Sequence, residues 1–248
     1  MESDDSQPDA SSESLGLELP PGASHYRAFV GPSADYDLVA AMSIGLLTTM
    51  GLRQHHQVLD IGCGSLRVGR LLIPYLNRCG YTGLEPNEWL VREGIANEVG
   101  QDQINIKQPH FVFASAAREL IDQSRLYDYV LAQSIFSHSG HDLLDQWLGE
   151  CAELLNDSGA LLATFIASEA DTDRLGWIYP DCVGFTPATV EGLAIRHGLE
   201  FVPLQWHHPR QTWALFAKPG FDAGWYKSRA LSWNTCFDRI NGRKQTSA

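Results

Sequence analysis

Between Val58 and Asn87 lie the residues whose types and spacing carry the most chemistry: Asp60-Ile61-Gly62-Cys63-Gly64-Ser65, and Glu85-Pro86-Asn87 downstream. Glycines at 62 and 64 let a chain leaving an apolar strand turn tightly and bring its backbone close to a ligand. A helix opening just after the turn aims its free N–H groups at the same ligand. A bound dinucleotide would want a third glycine at position 67, whereas Arg67 stands there and Gly69 comes two places late. Glu85, 21 residues after Gly64, falls at the carboxyl end of a second apolar run, where a carboxylate accepts hydrogen bonds from both hydroxyls of a ribose. An NAD-dependent enzyme could use the same carboxylate, so Glu85 alone does not discriminate.

Two histidine sets follow. His138, five residues past Gln133 in Ser134-Ile135-Phe136-Ser137-His138, titrates in the range useful to a general base and is the first candidate for one; bracing the next helix is its structural alternative. His138 and His141 stand three apart, but no cluster of Asp or Glu accompanies them, so no metal is expected. His207, His208 and Arg210 form a second polar cluster, suited either to a substrate carboxylate or hydroxyl or to capping a strand connection. The stretch 171–185 carries Trp177 and Tyr179 and is too long and aromatic for a plain connection, which reads as an apolar lid over a planar or lipidic acceptor.

These residues need a scaffold, and the apolar periodicity supplies one. Strands are expected at 58–61, 80–85, 110–114, 127–133, 160–167, 199–206 and 212–218, and helices at 35–50, 66–76, 88–98 and 143–155. A further helix opens at Thr186-Pro187, with Thr as N-cap and Pro at the first helical position. Strands alternating with helices imply right-handed βαβ units and a parallel sheet covered on both faces. One α/β domain, a Rossmann-like doubly wound sheet over about residues 25–220, accounts for the pattern. Ligands of such sheets sit outside the carboxyl ends of the strands. The turn after the first strand, the loops after Gln133 and Ser168, and the His207–Gln211 connection therefore converge.

Of the chain's 248 residues 44% are apolar and 19% charged, and 18 Lys+Arg against 30 Asp+Glu leave a net charge of −12. An acidic balance argues against duplex nucleic acid as a partner, because neutralising phosphates needs clustered Lys and Arg. Neither a run of 18 apolar residues nor a secretory leader is present, so no membrane span is expected and the default compartment is the cytoplasm. Five widely spaced cysteines form no metal-ligand pattern and read as reduced structural thiols. Residues 1–24 hold six acidic and no basic side chains and few large apolar ones, and are expected to be disordered. The 221–248 extension carries an excess of Lys and Arg with several aromatics; its first part is expected to pack on the domain and its last residues to fray.

The segment around Asp60, Gly62 and Gly64 resembles motif I of the class I S-adenosylmethionine-dependent methyltransferases, in which an acidic residue precedes two glycines; Ser65 stands where the family commonly has a third. Tyr127–Ser134, Leu155–Leu162 and the closing pair of strands are similar to the family's fourth strand, fifth-strand region and antiparallel β6–β7 hairpin, so the resemblance spans about residues 35–218. Gly62–Leu76 with Gly83-Leu84-Glu85-Pro86-Asn87 looks like a subgroup acting on small molecules. The resemblance implies S-adenosylmethionine as cofactor and methyl transfer to an oxygen or nitrogen of a small acceptor. Asp60 would hold the ammonium of the methionine end, Gly62, Cys63, Gly64 and Ser65 would shape the loop, Glu85 and Pro86 would meet the ribose, and Ser115 and Gln133 would flank the cofactor. The family often has an acidic residue where Ser115 stands. His138 would be the base, and Trp177, Tyr179, His207, His208 and Arg210 would face the acceptor. Two other functions remain open on the sequence: a non-catalytic S-adenosylmethionine-binding scaffold, and an NAD-dependent oxidoreductase, which Arg67 disfavours.

Overall fold

A computed structural model of the chain describes residues 15–222. The expectations for residues 1–14 and 223–248 lie outside the described residues. The elements in chain order are α1 (Tyr26–Phe29), a 3₁₀ turn (Ser33–Asp35), α2 (Tyr36–Thr49), β1 (Val58–Ile61), α3 (Gly69–Tyr75), β2 (Tyr81–Leu84), α4 (Glu88–Gly94) running into a π turn (Ile95–Val99), α5 (Gln101–Lys107), β3 (His110–Val112), α6 (Arg118–Asp122) and β4 (Tyr127–Ala132). A 3₁₀ turn (Phe136–His138) follows, then α7 (His141–Leu154), β5 (Leu155–Ala167), β6 (Gly184–Phe185), α8 (Pro187–Arg196), β7 (Glu200–Leu204) and β8 (Thr212–Ala217).

The sheet has the order β3-β2-β1-β4-β5-β8-β7, with β6 pairing β5 off this path. β1 pairs in parallel with β2 and β4, and β8 runs antiparallel to both its neighbours, β5 and β7. The antiparallel hairpin expected at the end of the sheet is thus present as β7–β8, because the two-residue β6 beside Ile166 and Ala167 takes one earlier number. Alternation along β1 sorts the core. Leu59 and Ile61 join the cluster under α7 and α8, while Val58 joins the one under α2 and α3. Asp60 shares the Val58 face by the same period of two, a buried carboxylate in an apolar layer.

Several boundaries depart from the sequence pattern. The helix expected to open at 66 begins at Gly69, since Gly62, Gly64 and Leu66 all take positive φ and carry the turn through Val68. No separate turn divides α7 from the fifth strand: the helix passes directly into β5 at Leu155, with a register break opposite Tyr127 and Tyr129. Residues 15–24 of the segment expected to be disordered are described as a series of turns. Leu19 N–H donates to Gly16 O at 3.1 Å and Gly22 N–H to Ala28 O at 2.8 Å, the turn chemistry of Pro20-Pro21-Gly22 outweighing the weak hydrophobicity. Thr186 caps α8 as expected, accepting from Thr189 N–H at 3.2 Å. Among the described residues no helix is long and apolar enough to cross a membrane.

Candidate active site

The strand order reverses between β1 and β4, which leaves a crevice at their carboxyl ends. A cavity of about 690 Å³ opens there. Its wall includes Gly62 and Gly64 from the first turn, Glu85 and Pro86 after β2, Ser115 after β3, and Gln133 and His138 after β4. Trp177 and Tyr179 close it from the 171–185 loop, and Phe29 and Val30 from the N-terminal segment.

The first turn is built for close approach. Gly62 has φ +64°, and a Cβ there would stand 2.1 Å from Ile135 Cδ1; Gly64 has φ +53°, and a Cβ would stand 2.7 Å from Val30 Cγ1. Both the backbone conformation and the space require glycine. Glu85 is held in place by Gly64 N–H at 3.1 Å on Oε2 and by Asn87 N–H and Nδ2 at 2.9 and 2.8 Å on Oε1. Burial raises its pKa and those three donors lower it. Asp60, 3% exposed, accepts from Tyr81 O–H at 2.8 Å. Burial pushes it up to about 7, against the Tyr81 bond and the Arg67 charge. It lines a small chamber adjoining the main cavity, with Cys63, Arg67 and Gln133.

His138 is oriented by the aromatic loop. Its Nδ1–H donates to the Asp181 carbonyl at 2.7 Å, an assignment forced by the acceptor being a carbonyl, so Nε2 carries the lone pair. Burial lowers its pKa and the Asp181 bond raises it, the first being larger. Backbone pairing fastens the loop: Ile178 N–H donates to His138 O and Val183 N–H to Ser137 O, each at 2.8 Å. The His138 ring stands edge-on to Tyr179 at 5.1 Å between centroids, and Trp177 stacks on Tyr179 at 6.4 Å and 21°. Tyr179 O–H in turn donates to Phe29 O, joining the loop to the N-terminal segment. That segment is anchored through Arg27, whose Nε donates to the buried Glu98 at 2.9 Å while Arg70 donates to the same carboxylate at 3.0 Å.

Not every expected site residue reaches the wall. Ser65 is fully buried, its Oγ 3.2 Å from Tyr36 O–H, and Cys63 meets only the small chamber, its thiol pushed up by burial. His207 is exposed, and Arg210 pairs with Asp35 away from the cavity. His208 lies behind Gln133, 3.2 Å from its Nε2, and burial lowers its pKa to about 4. The expected acceptor cluster therefore backs the site instead of facing it, because the β7–β8 connection turns under the loop after β4. In the other direction, Phe29, Val30, Arg67, Asn87 and Gln146 line the cavity unforeseen. Arg67 and Asn87 sit inside the recognised motifs, a signal that was legible, whereas Phe29, Val30 and Gln146 are brought in by tertiary packing. Among the described residues no group of three or more His, Cys, Asp or Glu side chains could hold a metal ion.

Residues 59–161 match the model of a methyltransferase domain family, which spans the glycine turn, Glu85 and β4. Over that stretch the chain is similar to methyltransferase domains. Solved structures share its fold. A magnesium protoporphyrin IX methyltransferase from Synechocystis PCC 6803, with S-adenosylmethionine bound, is 14% identical, with 75% of this chain and 81% of that one covered and a TM-score of 0.57. An O-methyltransferase family protein from Burkholderia thailandensis is 15% identical over 77% of this chain and 61% of that one, TM-score 0.52. The mitomycin 7-O-methyltransferase is 13% identical over 75% and 55%, TM-score 0.55. The cavity offers two glycines that admit a ligand against the backbone, a strand-end carboxylate on the wall and a buried acid beside the turn.

Proposed function

We propose that the protein is an S-adenosylmethionine-dependent methyltransferase that transfers the methyl group to a hydroxyl oxygen of a small, largely apolar molecule, with His138 as general base. The observation that carries this reading is the His138 tautomer: Nδ1–H is committed to Asp181 O at 2.7 Å, in a ring that lines the cavity and stays neutral near pH 7. S-adenosylmethionine supplies a methyl carbon on a positively charged sulfur. The hydroxyl oxygen forms the new bond to that carbon as the carbon–sulfur bond breaks, and His138 Nε2 takes the hydroxyl proton. An amine nucleophile attacks through its lone pair and has less need of a base at that moment, so a fixed neutral histidine favours oxygen over nitrogen.

In this reading Glu85 accepts from the ribose hydroxyls, with Pro86 beside it. Asp60 meets the ammonium of the methionine end, Gly62 and Gly64 give the backbone room, Ser115 flanks the adenine, and Gln133 closes the floor. Trp177, Tyr179 and Phe29 form aromatic walls for the acceptor and exclude water from the reacting atoms. The acceptor panel that tests the proposal pairs hydroxylated and amino-substituted versions of the same planar molecules and follows release of S-adenosylhomocysteine. Turnover confined to the hydroxyl series supports it; equal or better turnover of the amines overturns it.

A further inference from the structure

Two carboxylates line the main cavity, Glu85 and Asp142. Glu85 is taken up by three N–H donors. Asp142, in the first turn of α7, stands beside the aromatic loop: Gly176 N–H donates to its Oδ1 at 2.8 Å, and Trp177 is the next residue. That donor holds its carboxyl below the usual carboxylate range, so the group is ionised at neutral pH. Among the described residues it has no ion pair. Arg174 pairs with Asp181 at 3.2 Å, Arg196 and His197 pair with Asp145 at 2.9 and 2.7 Å, and His141 acts on Asp142 only at longer range.

The loop does not need this charge to hold its place. Gly140 N–H donates to Gly176 O at 2.8 Å, His141 N–H donates to Arg174 O at 3.2 Å, and Ser139 bridges Trp177, so backbone bonds already seat residues 174–177 on the start of α7. A neutral amide at position 142 would also accept from Gly176. What the ionised acid adds is a negative charge on the cavity wall beside a large aromatic surface. Trp177 is 54% exposed and lines the cavity, Tyr179 stacks on it, and the centroid of the His138 ring lies 5.7 Å away. A carboxylate flanked by indole and phenol rings suits an ammonium ion, because the acid matches its charge and the ring faces attract it.

We infer that Asp142, together with Trp177, binds an ammonium group carried by the acceptor, so that the substrate class is a hydroxylated aromatic compound with a short aminoalkyl arm. The inference deepens the hydroxyl-methylation reading and rests on it. The two groups of such an acceptor have different fates. An amine kept protonated by Asp142 has no lone pair with which to attack the methyl carbon, whereas the hydroxyl at His138 Nε2 gives up its proton as the new bond forms. Asp142 therefore selects the acceptor and touches none of the reacting atoms.

Calorimetric titration with tyramine and with 4-propylphenol, which share ring and hydroxyl and differ by an ammonium against a methyl group, tests this in the presence and absence of S-adenosylhomocysteine. At pH 7 the parent should bind tyramine about 5–30-fold more tightly, the span of a partly exposed ion pair added to a cation–π contact, and high salt should shrink that preference. Asp142→Asn, which keeps an oxygen for Gly176 N–H, should bring the two affinities within about twofold of each other, and Trp177→Leu should lose part of the preference. An acid in a helix's first turn also offsets the helix dipole; that role alone would move the melting temperature and leave the affinity ratio as it is. Should Asp142→Asn not fold, as read by circular dichroism, the parent's ratio, its salt dependence and Trp177→Leu decide. A parent that binds neither compound or shows no preference, an Asp142→Asn variant that keeps the preference, or variants that weaken both compounds alike overturn the inference. Mass spectrometry of methylated tyramine reads the other assignment separately: a methyl group on nitrogen overturns the hydroxyl reading, while the affinity ratio decides the ammonium site.

Discussion

Replacing Asp60 by asparagine should make the protein more stable and, on the proposed function, less able to bind S-adenosylmethionine. Asp60 is 3% exposed, and burial raises its pKa from an ordinary 3.8 to about 7. At ~1.36 kcal/mol for each tenfold change in proton affinity, that corresponds to an order of 4 kcal/mol by which the ionised acid destabilises the fold relative to the neutral one. The sign follows from linkage: with the folded pKa above the unfolded one, the contribution is fully present below pH 3.8 and is lost as pH rises to about 7. The asparagine amide would keep an oxygen for Tyr81 O–H and carry no charge at any pH. The difference in unfolding free energy between Asp60→Asn and the parent should therefore be near zero at pH 4 and grow to a few kcal/mol in favour of the variant by pH 8. Urea denaturation of both proteins across that range measures it. Taking the difference matters, because the parent's buried neutral His138 and His208, whose pKa values lie below their ordinary one, impose an opposite slope on the total. Calorimetry in buffers of unlike ionisation enthalpy should in addition show a proton released on cofactor binding at pH 6 by the parent and none by the variant. A stability difference that does not change between pH 4 and pH 8 would refute the reasoning.

Glu85→Ala should weaken S-adenosylmethionine binding by on the order of 1.5–3 kcal/mol, and Glu85→Gln by less, as read by calorimetry; parental affinity in both would remove the ribose contact. Gly64→Val forces a β-branched residue to φ +53° with its Cβ 2.7 Å from Val30 Cγ1. At roughly 1–3 kcal/mol for the backbone alone and about 2–4 °C per kcal/mol, the melting temperature should fall by several degrees and cofactor binding should vanish; a variant that melts and binds like the parent would contradict the close approach at this turn. His138→Ala should lower kcat by roughly 10²–10⁴-fold with little change in cofactor affinity. Since a base must be unprotonated and burial holds His138 below its ordinary 6.5, the parent's rate should drop only on the acid side of neutrality, and that limb should disappear in the variant. Loss of cofactor binding together with activity would assign His138 to bracing the loop.

The amino-acid order alone determined the chemistry that depends on neighbours in sequence. Asp60, Gly62 and Gly64 lie within five residues of one another, and the turn they make follows from local backbone freedom; Glu85 follows from the end of an apolar run. The alternation of apolar runs likewise set the βαβ order and hence the edge at which a ligand sits. Tertiary structure decided what long-range packing controls. Residues 25–30 read only as the start of the domain, yet Arg27 docks on Glu98 and carries Phe29 and Val30 over the cavity, an ion pair 71 residues apart in the chain that no local period announces. The histidines of the β7–β8 connection were expected on the site because they share its edge, and the path of that connection under Gln133 put His208 behind it. The proton position on His138 depends on the carbonyl of Asp181, 43 residues away. Arg67 was visible as the residue that spoils a dinucleotide motif; that its charge is buried against neutral oxygens is a property of the packed turn alone.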